Sequence, residues 1–148
     1  MYTPAKSEIN EIVPGLYLSS YGGASNIDYL KRIGITDIIN LSDKENVAPT
    51  EFNYHRIQIA DDPDADIKQY FAITNSIIDS VLETGGKVLV HCTAGVSRSP
   101  TIILAYLMVK NGYYMEEAFN FVYEKRRVIH PNEGFIQQLE QYTNEINR

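Results

Sequence analysis

The stretch Lys87-Val88-Leu89-Val90-His91-Cys92-Thr93-Ala94-Gly95-Val96-Ser97-Arg98-Ser99-Pro100-Thr101-Ile102-Ile103-Leu104-Ala105-Tyr106-Leu107-Met108 changes character twice. Lys87 to Cys92 is apolar almost throughout and rich in β-branched Val, the pattern of a strand buried on both faces. Ser99 to Lys110 is apolar nearly all round and stops at Asn111-Gly112, as expected for a helix inside a core. Small uncharged residues and one arginine join the two. A buried strand running into a buried helix puts that junction at a sheet edge facing a helix N-terminus. This is where open α/β sheets bind ligands.

Away from the junction, strand-like runs occur at Leu16 to Leu18, Asp37 to Leu41 and Tyr54 to Ile59, each bounded by Gly, Pro, Ser or Asp. Helical spacing appears at Ile27, Leu30 and Ile33, stopped by Gly34, and from Ile67 to Leu82, stopped by Gly85-Gly86. Two more helices are expected over Met115 to Arg126 and over Asn132 to about Ile146, the latter with Phe135, Leu139, Tyr142 and Ile146 on one face. Alternation of strand and helix predicts an α/β domain: a central, mostly parallel twisted sheet flanked by helices. The chain has 148 residues, which fits one domain over 1–148 with a core of about 9–146.

Charge and cysteine content narrow the chemistry. With 13 Lys+Arg against 19 Asp+Glu, a net charge of −6 disfavours binding to nucleic acid or anionic lipid by bulk attraction. Any anion must be held locally. The single Cys excludes an internal disulfide and a Cys-rich metal cage, and suits a reducing cytosol, with access to the nucleus compatible. Met1 to Asn10 is polar and shows no leader pattern, and Pro100 to Val109 falls far short of the ~20 apolar residues that span a bilayer. His55 and His130 show no ligand spacing, so neither a metal nor a cofactor is implied.

The junction itself has the makings of an anion cradle. Small residues let consecutive N–H groups of Thr93, Ala94, Gly95, Val96 and Ser97 point inward, and the helix N-terminus adds donors and partial positive charge. Arg98 offers a planar fork for two oxygens of a phosphate. Cys92 opens this cradle, and a thiol in such a field ionises more readily than a free one. Phosphoryl transfer to sulfur follows as the expected chemistry, with Cys92 attacking in line while the amides and Arg98 hold the equatorial oxygens.

His91-Cys92-x-x-Gly95-x-x-Arg98-Ser99 resembles the signature of cysteine-dependent protein tyrosine phosphatases, and Cys92 to Ser99 is most like the small (atypical) dual-specificity branch. Ile12 to Leu18, Gly34 to Leu41, Ala105 to Met108, Arg126-Arg127 and Pro131-Asn132 resemble further segments of that catalytic domain, so the likeness covers most of the chain. The family implies an α/β fold with its phosphatase loop between strand and helix. It also implies a phosphocysteine intermediate and phosphoprotein substrates.

A leaving oxyanion needs a proton, and Asp61-Asp62-Pro63-Asp64-Ala65-Asp66 supplies four candidate acids. Asp66-x-x-Gln69 looks instead like an Asp version of a capping box. The resemblance places Asp61 at the general-acid position; Asp62 is the reserve, and as bare residues Asp62 and Asp64 read as a solvated acidic loop. It further implies that Ser99 assists departure of the sulfur, that His91 orients the loop, and that Asn132 lies near the active-site loops. Taken as bare residues, Ser99 and Asn132 are ordinary helix caps. Lys125-Arg126-Arg127 is expected either to complement a helix dipole or to form a basic rim, and the resemblance implies that one of the two arginines lies near the loop. Two rival functions remain in view: hydrolysis of a non-protein phosphomonoester (phosphoinositide, RNA 5′-end or glycan), and phosphoprotein binding without catalysis. The uncharged loop and acidic flank disfavour polyanionic substrates. The retained Cys92, Arg98 and Asp61 disfavour a binding-only role.

Overall fold

The computed structural model describes residues 8–146. Met1 to Ser7 of the polar start, and Asn147 and Arg148 at the far limit of the expected domain, lie outside the described residues. Five strands form one sheet: β1 (Ile9–Val13), β2 (Leu16–Ser19), β3 (Asp37–Asn40), β4 (Asn53–Arg56) and β5 (Val88–His91), in spatial order β1-β2-β5-β3-β4. All neighbours run parallel except β1 and β2, which form an antiparallel pair through the Pro14-Gly15 turn.

Among the described residues six helices surround the sheet: α1 (Tyr21–Ala24), α2 (Ile27–Ile33), α3 (Phe71–Glu83, preceded by a 3-10 turn at Lys68–Tyr70), α4 (Arg98–Lys110), α5 (Met115–Lys125) and α6 (Glu133–Glu145). Period-two alternation along the central strands divides the core. Leu16, Leu18, Ile39, Leu41, Val88 and Val90 join the residues of α3 to α6, whereas Tyr17, Ile38 and Leu89 face a smaller cluster with Leu30, Ile35 and Phe52. Both faces of β5 are thus closed, as its unbroken apolar run requires. Helix α4 is buried from Ser99 to Met108, with α3, α5 and α6 packed around it. Burying a Val, Leu or Ile contributes roughly 1.5–3 kcal/mol each, so this pair of elements anchors the fold.

The expected elements appear, with the helix expected from Ile67 starting as a 3-10 turn and becoming α-helical only at Phe71, and with three further differences. The β1 strand was not anticipated, because Ile9-Asn10-Glu11-Ile12-Val13 is half polar; it is a half-exposed edge strand stabilised by pairing with β2. The short α1 was not anticipated either. The fourth strand is shorter than Tyr54 to Ile59: Ile57 still donates to Asn40, after which the chain turns so that the Ile59 carbonyl meets Arg98.

Register decides where chemistry happens. Ser19 pairs with His91 and His91 with Asn40, so the parallel strands end in line at their carboxyl edge. The Cys92–Ser97 loop leaves from that edge.

Candidate active site

Every carbonyl from Cys92 to Ser97 is engaged away from the loop's concave side. The Cys92 carbonyl accepts from His91 Nδ1 at 3.1 Å, Thr93 from the Tyr21 amide at 2.9 Å, and Ala94 and Gly95 from the Arg126 guanidinium at 3.3 and 3.0 Å. The Val96 carbonyl accepts from the His130 amide at 2.6 Å, and Ser97 from the amide and hydroxyl of Thr101. The amides of Thr93, Ala94, Gly95, Val96 and Ser97, in contrast, donate to no acceptor among the described residues. Committed carbonyls and uncommitted amides ahead of a 13-residue helix leave the donors that an anion would need. Gly95 is required twice over. Its φ of 69° is left-handed, and a Cβ there would lie 2.7 Å from the Ser19 carbonyl.

Cys92 is a free, buried cysteine at the entrance to this loop. Its Sγ lies 3.1 Å from Ser99 Oγ and accepts from the Ser99 amide at 3.5 Å. Ser99 is therefore not the helix cap. Ser97 occupies the cap position, and its own hydroxyl accepts from the Asn132 amide at 2.9 Å. His91 is buried, and desolvation above all, with the Arg98 charge also acting, pushes its pKa down to about 4, against a partial lift from the Cys92 carbonyl. A carbonyl can only accept, so Nδ1 carries the proton of a neutral ring.

Arg98 reaches from the start of α4 across the ends of two strands. Nη1 donates to the carbonyls of Ile59 at 3.0 Å and Leu41 at 3.4 Å, and Nη2 donates to Thr93 Oγ1 at 3.1 Å. Its Nε is buried without a partner among the described residues. Anchoring Nη1 to main chain sets the plane of the guanidinium and leaves the Nε–Nη2 edge for an oxyanion. Arg98 and Thr93 line a cavity of about 530 Å³ together with Asp43, Lys44, Gln58 and Asp61.

Of the four acidic candidates, Asp61 alone lines that cavity. Its Oδ1 accepts from Asn132 Nδ2 at 2.9 Å. Asn132 Oδ1 meanwhile accepts from the Phe135 amide at 2.9 Å, so this residue caps α6 and holds Asp61 at once. Asp62 is committed to the turn: its side chain accepts from the Asp64 amide and its carbonyl from Ala65. Asp64 is exposed. Asp66 accepts from the Gln69 amide at 3.3 Å, but it lies one residue before Ile67, which occupies the cap position of the 3-10 turn, and it does not cap α3.

The basic run divides: one of its two arginines lies against the loop, as the resemblance implies, but beneath it and not as a rim. Lys125 and Arg127 lie at the surface, Arg127 paired with Glu124, but Arg126 is fully buried beneath the loop. Besides the two loop carbonyls it donates to the Glu8 carbonyl at 3.1 Å and to Asn10 Oδ1 at 2.9 Å. Burial pushes its pKa down, yet arginine stays charged in proteins. This buttress ties the loop to β1. A signal for it exists in the sequence: Arg126 falls four residues after Val122 and eight after Ala118, both buried, on the core-facing side of α5.

Residues 16–145 match the family model described as dual specificity phosphatase, catalytic domain. The chain is 46% identical over 137 residues to dual specificity protein phosphatase 5 of Rattus norvegicus, which covers 92% of this chain and 36% of that protein. It thus spans about a third of the length of the first curated relatives it matches. The crystal structure of human tyrosine phosphatase-like serine/threonine/tyrosine-interacting protein is 39% identical, with a TM-score of 0.86 over 94% of this chain and 97% of that one. That of human DUSP28 is 29% identical, with a TM-score of 0.91 over 98% and 99%. With the family model matching residues 16–145, most of its 148 residues, this chain belongs to the dual specificity phosphatase catalytic-domain family.

Proposed function

We propose that this chain hydrolyses phosphotyrosine and phosphoserine/phosphothreonine in proteins through a phosphocysteine intermediate, within a single catalytic domain over 1–148 and without metal or cofactor. One observation carries the reading: the Cys92 sulfur sits at the mouth of a loop whose carbonyls are all tied elsewhere and whose amides are uncommitted. Such a cradle complements a tetrahedral dianion and strengthens as charge moves onto its equatorial oxygens.

In the first step the Cys92 thiolate forms an S–P bond as the P–O bond to the substrate breaks. The electron pair goes to the leaving oxygen, which takes the carboxyl proton of Asp61. The Thr93 to Ser97 amides and Arg98 hold the three remaining oxygens throughout. In the second step Asp61, now a carboxylate, takes a proton from water while the water oxygen attacks phosphorus. The S–P bond breaks, inorganic phosphate leaves, and the thiolate is restored with the Ser99 hydroxyl donating to it. His91 fixes the loop through the Cys92 carbonyl, and Asn132 holds Asp61 toward the cavity.

Phosphoinositides and other polyanions fit less well, since Asp43 and Asp61 stand at the cavity wall beside the single lysine, Lys44. A second reading, phosphoprotein binding without turnover, takes its support from the relative named tyrosine phosphatase-like serine/threonine/tyrosine-interacting protein. No described helix is long and apolar enough to cross a membrane, and a free Cys92 suits a cytoplasmic signalling role with nuclear access. The deciding experiment is hydrolysis of phosphotyrosyl and phosphothreonyl peptides. The wild-type chain turns over both. Asp61→Asn loses about 10²-fold or more in kcat, most with the alkyl leaving group. Binding of both peptides with no phosphate release by wild type would establish the second reading instead.

A further inference from the structure

Helix α6 carries more of the acid loop than Asn132 alone. At Gly134, buried in the first turn of α6, an added Cβ would lie 1.8 Å from the Pro63 carbonyl oxygen and 2.5 Å from its carbon. The main chain two residues beyond Asp61 therefore rests directly on the helix backbone, closer than any side chain permits. One turn further on, Gln138 grips the far end of the same loop: its Nε2 donates to the Ala65 carbonyl at 2.8 Å, and its Oε1 accepts from the Lys68 amide at 2.9 Å. Asp61, Asp62, Pro63 and Asp64 are all exposed, so nothing behind them presses the loop inward. Its position comes from the helix side.

We infer that Gly134 is a positioning residue for the general acid: the missing side chain lets Pro63 seat against α6, and this seat, with Gln138 at the loop's other end, holds Asp61 within reach of Asn132 and of the leaving oxygen. The inference rests on Asp61 being the proton donor. Any side chain at 134 must displace either the helix or the loop. The helix is packed into the core through Phe135 and Leu139, whereas the loop is exposed, so the loop moves. Asp61 then leaves the Asn132 hydrogen bond. The anion loop keeps its shape, because its contacts to this segment come earlier, from the amides of His130 and Asn132.

The test compares two leaving groups in wild type, Gly134→Ala, Gln138→Ala, Asp61→Asn and the Asp61→Asn/Gly134→Ala pair. Phenyl phosphate needs a proton donor; dinitrophenyl phosphate does not. Gly134→Ala is expected to lose about 10²-fold in kcat with phenyl phosphate and almost nothing with dinitrophenyl phosphate. Gln138→Ala is expected to show the same selectivity with a smaller loss. The pair should be no slower than Asp61→Asn alone, since both changes remove one function. Orthovanadate affinity should be unchanged in Gly134→Ala. Thermal unfolding should not fall, because alanine is the better helix former and the displaced loop is exposed.

Equal losses on both substrates with weakened vanadate binding would mean that Gly134 acts through the anion loop, and would overturn the inference. Failure of Gly134→Ala to fold would overturn it too, because it is the exposed loop, not the core, that must yield. If Asp61→Asn discriminates between leaving groups while Gly134→Ala behaves as wild type, the positioning role alone falls. If Asp61→Asn shows no discrimination, the acid assignment falls and takes this inference with it.

Discussion

The anion loop and the acid loop border the same cavity, yet they are held there by opposite means. Residues 92–97 lie between a buried strand and a buried helix, and main-chain carbonyls tie them to α1, α4, Arg126 and the segment before α6. Residues 61–64 are exposed and are held from one side by Asn132 and Gly134, with Gln138 holding Ala65 just beyond them. A group that must bind a dianion in every step gains from a rigid, desolvated frame. A group that must give and then recover a proton needs contact with water between steps. Damage to the first loop should therefore cost stability and activity toward all substrates together. Damage to the second should cost activity selectively and stability hardly at all.

The largest expected effect is at Arg98. In Arg98→Lys a single ammonium cannot hold the Leu41 and Ile59 carbonyls and also offer a paired edge to phosphate, so single-turnover rates should fall about 10³-fold for phenyl and dinitrophenyl phosphate alike. A loss confined to the poorer leaving group would erase the distinction between the loops. Next comes Arg126→Lys. It leaves the Ala94 or Gly95 carbonyl unsatisfied in a buried site, and urea denaturation should report a loss of about 2–4 kcal/mol with weaker vanadate binding. Unchanged stability would show that Arg126 does not buttress the loop.

A smaller effect is expected at His91 and has a direction in pH. Its pKa of about 4 in the folded chain lies below the ordinary 6.5, so between those values the unfolded chain binds more protons. Stability should therefore fall as pH drops from about 6.5 toward 4, by up to about 3 kcal/mol. In His91→Asn, which retains a donor for the Cys92 carbonyl, urea midpoints measured across this range should lose that part of the slope. Smallest is Asn132→Ala, where loss of the cap should cost about 1 kcal/mol. Its turnover should fall mainly with phenyl phosphate. An equal fall with dinitrophenyl phosphate would place Asn132 with the anion loop.

Much of the rigid half was legible in the sequence. An unbroken apolar run from Val88 to Val90 and an all-round apolar helix after Ser99 can be buried in few ways, and together they locate the loop and its cysteine. The remainder depends on contacts distant in sequence. Four aspartates in six positions look alike locally; what separates Asp61 from Asp62 is an asparagine 71 positions away, and what seats their loop is the absence of a side chain at Gly134. Glycine in a first helical turn attracts no notice until its neighbour is seen. The charge of Arg126 alone does not say that it lies beneath the loop, although its spacing from Ala118 and Val122 points inward. Taken bare, Ser99 reads as a cap, whereas the resemblance sets it beside the sulfur; it faces Cys92 Sγ, and Ser97 takes the cap because the helix begins one residue earlier than its apolar run.

The most direct measurement is chemical trapping of the proposed phosphocysteine intermediate. Wild-type and Asp61→Asn protein would be mixed rapidly with dinitrophenyl phosphate, quenched in acid, and digested for peptide mass analysis. Phosphate should be found on the sulfur of Cys92 and on no other residue. More should accumulate in Asp61→Asn, where the second step lacks its base, and none in Cys92→Ser. A burst of dinitrophenol without phosphate on Cys92, or sustained turnover by Cys92→Ser, would contradict the mechanism.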